Sequence, residues 1–225
     1  MKYLLNPIRT LLQRAFFCGM LCGFSAFAVA QTSDFKPYFS FGTAHGISMS
    51  SINFYPTVAQ KSLKGYYGGI AVAYISEKHF GLQAELNYSQ RGWSEQSGSD
   101  NMQRRINYFE LPIMTHVYFG NHFRWMINLG PKIGYYLSES KSTNMASPPT
   151  EYTLAIANKL DYGICAGSGF EVNTGAMSYV LEARYSYSLS DIFPNTKSDT
   201  FGSSGNQFLS VTLGVFLHFR PQHHR

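Results

Sequence analysis

The sequence predicts an all-β fold, an eight-stranded antiparallel barrel with up-and-down connections. Three observations predict it: apolar and polar residues alternate along eight segments, the connectors between them are alternately short and long, and aromatic residues gather at the segment ends. Side chains along a strand point to opposite faces, so each segment has one apolar and one polar face. In a transmembrane barrel the apolar face meets lipid and the polar face lines the lumen.

The fourth segment shows the alternation most clearly. Phe109, Leu111 and Ile113 fall on one parity, whereas Glu110 and Pro112 fall on the other. The same reading along the chain gives eight strands of about ten residues or more, longer than the five or six residues usual in soluble proteins. The predicted strands are Pro37–Ser48, Tyr66–Ile75, Gly81–Gly92, Ile106–Phe119, Arg124–Leu137, Leu160–Val172, Ser178–Ser188 and Gln207–Arg220.

The connectors give the second signal, because outer-membrane barrels combine short periplasmic turns with longer external loops. The short connectors are Ser76–Phe80, Gly120–Phe123 and Asn173–Met177. The long, polar connectors are Met49–Gly65, Trp93–Arg105, Ser138–Lys159 and Leu189–Asn206. A soluble exported barrel or sandwich would also alternate, with the apolar parity turned inward. Bulky Leu, Ile, Phe and Tyr side chains on that parity are too large for an eight-stranded interior, which favours the membrane barrel.

The first 30 residues predict a secretory signal peptide, so the barrel domain is expected to be residues 31–225. Lys2, Arg9 and Arg14 precede an apolar run, and small residues then stand at the expected cleavage spacing before Gln31. An uncleaved N-terminal anchor is the alternative. Without this segment the formal charge falls from +5 to +2, which gives no indication of nucleic-acid binding. Only Cys165 remains beyond the segment, which excludes an intramolecular disulfide.

Several stretches in order along the chain resemble the PorT-like outer-membrane β-barrel family of Gram-negative bacteria. The matching stretches are Gly81–Ser89 followed by Gly92, Tyr108–Ile113, Gly130–Gly134, Leu181–Ser186 and Gly214–Leu217. The resemblance implies a barrel in the cell outer membrane, and most members have no assigned activity. One founding member is tied to type IX protein secretion, so an accessory role in a secretion apparatus is an alternative function, although such a role does not transfer by fold. The tail after Arg220 extends past the family's usual terminal aromatic residue.

The inward-facing parity carries charges that must pair with one another, because an isolated buried charge is costly. A regular hairpin across the fourth and fifth strands places Glu110 opposite Lys132 or one diagonal step away, within cross-strand reach. Across the next short turn, Arg184 is expected to face Gly167 and Glu182 to face Gly169. A polar plug is the preferred interpretation, and a proton or ion path is the alternative. The predicted lumen network is Glu85, Arg91, Glu110, His116, Lys132, Glu171, Glu182 and Arg184, with Asp161 on the same parity.

No enzyme, metal or cofactor motif is present, so a non-catalytic protein is expected. A lipid A-modifying enzyme is an alternative, for which Ser186, Ser188 and His45 would supply the reactive groups. The external loops are expected to contact a protein partner, at the cell surface or in a secretion complex, or a surface polysaccharide. Tyr152, Phe193 and Phe201 are apolar residues on otherwise polar loops, and we expect them to act as contact residues or to touch one another or lipid headgroups.

Overall fold

In the computed structural model, eight antiparallel strands form a closed meander barrel in which β1 pairs with β8. The structure describes residues 35–97, 100–145, 148–193 and 201–219. The signal peptide predicted at residues 1–30 and the tail after Phe219 lie outside them. The strands are β1 Tyr38–Tyr55, β2 Lys61–Glu77, β3 Phe80–Ser97, β4 Asp100–Gly120, β5 Phe123–Thr143, β6 Leu160–Asn173, β7 Met177–Asp191 and β8 Ser203–Phe219. A single-turn helix, α1, spans Thr150–Thr153 before β6.

The prediction of an eight-stranded antiparallel meander is confirmed, but most strands are longer than predicted. β3 and β4 reach Ser97 and Asp100, so the predicted loop Trp93–Arg105 is mostly a β-hairpin. β1 likewise continues through Tyr55, and β5 through Thr143. Most of this extra length lies at the end of the barrel where the long connectors are predicted, which is here called the hairpin end. The opposite end, which has the three short turns, is called the short-turn end.

The strands are strongly tilted relative to the barrel axis. The paired residues followed once around the barrel from Tyr118 pass through Gly169, Gly46 and Ser89 and return to the same strand at Tyr108. The stagger is therefore ten residues, and closing eight strands with such a stagger requires a tilt of roughly 35–45°. An interior of this size is filled by side chains.

Outward-facing side chains on the barrel wall are largely apolar, with two bands of aromatic rings. Ring contacts across neighbouring strands join Phe119 to Trp125 near the short-turn end and Tyr88 to Phe109 towards the hairpin end. On β4 the outward apolar run between these bands extends from Phe109 to Phe119, and about ten residues suffice for a tilted strand to cross a bilayer. Among the described residues, no helix has the length and apolar character needed to cross a membrane.

Candidate functional site

The lumen towards the hairpin end holds a buried cluster of two cations and two carboxylates. The Arg91 guanidinium pairs with Glu110, and its Nη1 lies 2.6 Å from Asp161 Oδ2. The Lys132 Nζ lies 2.7 Å from Asp161 Oδ2 and 3.4 Å from Glu110 Oε2. The Arg91 guanidinium also packs over the ring of Phe208, at 4.4 Å from its centroid. This group, here called the outer ion cluster, is electrically neutral, which offsets the cost of removing its members from water.

A second buried group, the inner ion cluster, lies nearer the short-turn end. Arg184 donates from Nη1 and Nη2 to the two carboxylate oxygens of Glu85, both at 2.7 Å, and its Nη2 lies 2.8 Å from Glu182 Oε2. Asn128 donates to Glu182 Oε1, and His116 Nδ1 lies 2.8 Å from Asn128 Oδ1. The cluster carries one cation and two carboxylates, and side-chain amides supply further hydrogen-bond donors to the excess negative charge.

Tyr67 joins the two ion clusters into one network. Its hydroxyl donates to Glu110 Oε1 at 3.0 Å and accepts from Asn87 Nδ2 at 2.9 Å and from Arg184 Nη1 at 3.2 Å. Tyr67 is not recognisable as a lumen residue from the sequence, because the inward parity of β2 otherwise carries Ala71, Ala73 and Ile75 and gives no polar signal.

The short-turn end of the lumen is narrowed by a third polar group. Glu171 pairs with Arg124 Nη1 at 3.1 Å and accepts a hydrogen bond from Ser178. The His218 ring lies 2.7 Å from the hydroxyl oxygens of both Ser178 and Ser40, so it connects three strands. A cavity of about 30 Å³ separates this group from the inner ion cluster, which is room for one or two water molecules.

The hairpin end of the lumen is filled by apolar side chains rather than polar ones. Phe54 lies at the centre, with ring centroids 5.3 Å from Trp93 and 4.9 Å from Phe201. This group, here called the apolar plug, is almost fully excluded from solvent. Its buried members are Ile52, Phe54, Trp93, Met102, Ile106, Tyr108, Ile192, Phe193 and Phe201.

Arg104 fastens the segment that carries α1 onto the apolar plug. Its Nη2 lies 2.7 Å from Glu139 Oε2, and its Nη1 donates to the backbone carbonyl of Glu151 at 2.7 Å. Its guanidinium also faces the rings of Trp93 and Phe193, at 5.5 and 5.3 Å from their centroids. Arg104 lies within the predicted loop Trp93–Arg105, and once that stretch is recognised as strand its inward parity indicates a buried charge.

The eight residues predicted for the lumen network all have buried side chains inside the barrel. The predicted register is confirmed: Glu110 pairs with Gly134, which puts Lys132 one diagonal step away. Arg184 faces Gly167 and Glu182 faces Gly169, as predicted. A Cβ atom on Gly167 would overlap Glu182 Oε1, so the glycine leaves room for the long carboxylate side chain.

The prediction of exposed aromatic contact residues on the loops needs correction. Phe193 and Phe201 are buried in the apolar plug, and their ring centroids lie 5.9 Å apart. Tyr152 is partly buried and packs against the same plug. These side chains turn inward because the strands continue above the bilayer level and leave an apolar opening that must be covered. The alternative in which the aromatic residues touch one another is the one seen for Phe193 and Phe201.

The residues considered for lipid A chemistry do not come together. Ser186 and Ser188 are buried inside the barrel, where Ser188 accepts a hydrogen bond from Lys132 Nζ. His45 lies on the outer face of β1, where its ring nitrogens lie 2.6 Å from the Thr43 hydroxyl and 2.5 Å from the Tyr66 hydroxyl. The barrel wall separates the serines from the histidine.

The comparison with known structures gives distant similarities. The chain is 15% identical to neisserial surface protein A, with a TM-score of 0.44 over 81% of this chain and 97% of that one. It is 14% identical to Ail, the attachment invasion locus protein of Yersinia pestis, with a TM-score of 0.40 over 82% of this chain and 98% of that one. For the N-terminal β-barrel domain of Pseudomonas aeruginosa OprF the identity is 11% and the TM-score 0.42, over 80% and 97% of the two chains.

The comparison with protein families gives a broader match. No curated protein matches the sequence. The family model described as outer membrane protein beta-barrel domain matches residues 29–194, from before β1 to just beyond β7. This match covers most of the 225 residues, and the chain belongs to the family of outer membrane protein β-barrel domains.

Proposed function

We propose that this outer-membrane barrel is a non-catalytic, membrane-anchored interaction protein whose lumen is closed by its own side chains. The observation that carries the proposal is the succession of fillings along the barrel axis: the polar group at the short-turn end, the two ion clusters and the apolar plug. An eight-stranded interior is only wide enough for side chains, and here long charged and aromatic ones occupy it. In this proposal the short turns face the periplasm and the hairpin end faces the cell exterior.

The closed lumen is tested by electrical recording. Purified barrel inserted into planar bilayers should give no porin-sized single-channel steps, because the ion pairs of Arg91 and Arg184 fill the lumen. A control variant, Phe193→Ala with Trp93→Ala, removes much of the apolar plug but leaves both ion clusters, and it should stay silent as well. Large, regular conductance steps from the unmodified barrel would overturn the proposal.

The surface available for a partner is the polar outer face of the extended hairpins. Lys61, Gln96, Asn101 and Lys141 are exposed there, and Tyr55 is 72% exposed. Tyr55 replaces Phe193 and Phe201 as the candidate aromatic contact residue, since exposed aromatic side chains recur as anchors in protein interfaces.

Photo-crosslinking in native membranes tests this surface. A photoreactive amino acid at position 55, 96 or 141 should give a discrete protein adduct, whereas the same amino acid at Leu86, on the lipid-facing wall, should not. The absence of adducts from all three hairpin positions would contradict an interaction role.

Two further features belong to this proposal. The resemblance to the PorT-like family supports an accessory role in a secretion apparatus as the second candidate, and copurification of a stoichiometric set of partners would favour it over a barrel that acts alone.

We further propose that residues 1–30 are removed on export. Mass spectrometry of the chain from outer membranes would then give Gln31 as the first residue, and an intact N-terminus would identify an anchor instead.

A further inference from the structure

The barrel wall contains a local break in backbone pairing between β6 and β7 near the hairpin end. Pairing between these strands stops at Gly163 and Ser188. On their other sides, β6 pairs with β5 as far as Leu160, and β7 pairs with β8 again at Asp191 after an irregular stretch that follows Tyr187. The two strands therefore separate over about three residues, while the barrel remains closed around them.

Other parts of the chain close this break on its hairpin-end side and on the side that faces the lumen. The backbone amides of Ala157 and Asn158 donate to the carbonyl of Ile192, at 3.1 and 3.4 Å, and form the upper edge. At the back, the Ser190 hydroxyl accepts from the Tyr162 amide and lies 3.1 Å from Asp161 Oδ1. The break is thus separated from the lumen, and it forms a recess that opens towards the surroundings of the barrel.

The recess, here called the lateral groove, has a volume of about 500 Å³, which is within the range of small-molecule sites. Its lower part is apolar, with the side chains of Leu160, Tyr162 and Leu189 half exposed or more. Its upper part is polar. The residues that line the groove are Ala157, Asn158, Lys159, Leu160, Tyr162, Leu189, Ser190 and Asp191.

The level of the groove in the membrane indicates what occupies it. Tyr162 and the neighbouring Tyr135 are outward-facing aromatic residues at the hairpin end of the lipid-facing wall, where aromatic side chains mark the boundary between hydrocarbon and headgroups. Lys159 is exposed just beyond this boundary. Among the described residues, no ion pair joins Lys159 to a carboxylate. One carboxylate oxygen of the adjacent Asp191 accepts a hydrogen bond from the backbone amide of Ser204.

We propose that the lateral groove binds one outer-leaflet lipid whose phosphate headgroup has a net negative charge; the leaflet follows from the orientation in the proposed function. The phosphate lies at Lys159, and the headgroup end of the acyl chain lies against Leu160, Leu189 and Tyr162. The apolar lower part and the cationic upper edge match the two ends of such an amphiphile in the orientation that the bilayer imposes. A Lys near a membrane surface attracts anionic headgroups, and the groove adds a recess in which the lipid is held rather than merely adjacent.

Native mass spectrometry of the detergent-folded barrel tests the proposal. The probes are diphosphorylated lipid A, the same lipid A without phosphates, and phosphatidylcholine, whose phosphate is balanced by the choline of the same headgroup. The unmodified barrel should retain one molecule of the diphosphorylated lipid in preference to the other two. Lys159→Ala should lower that retention roughly fivefold. Lys64→Ala is the matched control. Lys64 is an exposed lysine at the hairpin end of β2, which lies four strands from β6 on the opposite side of the barrel.

A second pair of variants tests the groove rather than the charge. Leu189→Trp places a larger side chain in the groove and should abolish the retained lipid, whereas Leu181→Trp, on the paired lipid-facing part of β7, should not. Heat-dependent electrophoretic mobility verifies that each variant folds. Equal losses from Lys159→Ala and Lys64→Ala, or full retention by a folded Leu189→Trp barrel, would overturn the proposal, as would equal retention of all three lipids.

Discussion

Between the two aromatic bands the strands carry mainly apolar side chains outward and most of their charged ones inward, whereas beyond the hairpin-end band several of the same strands turn large apolar side chains inward. On β3, Leu82 and Leu86 face outward, and Glu85 and Arg91 face inward. Two residues after Arg91, the inward side chain is Trp93, fully buried. The geometric alternation continues, but the chemistry on each face is exchanged because the surroundings change from hydrocarbon to water. The level of this exchange marks the boundary of the membrane at the hairpin end more directly than the strand ends do.

The two regions also differ in how their interiors are stabilised. The membrane region relies on paired charges, which contribute little or nothing net relative to apolar packing but are costly to disrupt one partner at a time. The region beyond the hairpin-end band relies on aromatic packing. There, truncating a side chain lowers the free energy of unfolding in proportion to the volume removed. Mutations in the two regions should therefore have different sizes and different local effects.

The largest effect is expected from Glu110→Ala in the outer ion cluster. The substitution leaves Arg91 and Lys132 with a single carboxylate, Asp161, in a buried site, and breaking such a pair costs about 3–5 kcal/mol. Urea unfolding in lipid vesicles, followed by intrinsic fluorescence, measures the loss. Glu110→Gln is the control, since it keeps an acceptor for Tyr67 and should lose less. A loss below about 1 kcal/mol would show that the cluster is hydrated rather than dry.

The next largest effect is expected from Phe193→Ala in the apolar plug. Removing a buried phenyl ring costs about 3 kcal/mol or more where the site cannot collapse. Because the plug covers the barrel without forming its wall, the loss should appear mainly as local opening. Hydrogen exchange should accelerate in residues 148–159 and at the ends of β3 and β4, and the amides between the aromatic bands should keep their protection. Loss of protection along whole strands would mean that the plug and the wall unfold together.

A charge added to the outer face separates the two regions directly. Leu86→Lys places an ammonium group on the lipid-facing wall, between the bilayer midplane and the aromatic band that contains Tyr88, and should destabilise the barrel by about 1–2 kcal/mol. Gln96→Lys, on the exposed extension of the same strand, should change the free energy of unfolding by no more than about 0.5 kcal/mol. Equal effects of the two substitutions in vesicles would mean that the boundary between the regions is placed wrongly.

This exchange of faces also explains which parts of the fold the sequence could predict. Inside the membrane a single rule, apolar outward, holds from Tyr108 to Phe119 and correctly predicts β4 and the diagonal contact of Glu110 with Lys132. Beyond the boundary, inward Ile106 and Met102 follow the opposite rule, so the alternation of the membrane part is lost there and the strand extension resembles a polar loop. The lateral groove depends on where pairing between two strands stops, and residue types alone do not encode that.

The smallest predicted effect is a pH dependence of the hairpin end, centred on Glu95. Burial raises the pKa of Glu95 above its ordinary value of 4.5; a hydrogen bond from Trp93 Nε1 opposes this, and the nearby carboxylate of Glu151 adds to it. The folded state therefore holds the proton more tightly than the unfolded chain does. The contribution of Glu95 to the stability of the folded state is complete at pH values below the ordinary pKa, and it is lost as the pH rises through the raised pKa.

The segment that carries Glu151 should consequently lie more tightly on the plug in mildly acidic solution than at neutral pH. Trp93 reports this directly, because its indole donates to Glu95 and the chain's other tryptophan can be removed as Trp125→Phe. The Trp93 emission should titrate with a midpoint above pH 4.5. Glu95→Gln keeps an acceptor for the indole but cannot ionise, so the titration should flatten. An unchanged midpoint in that variant would assign the proton to another group.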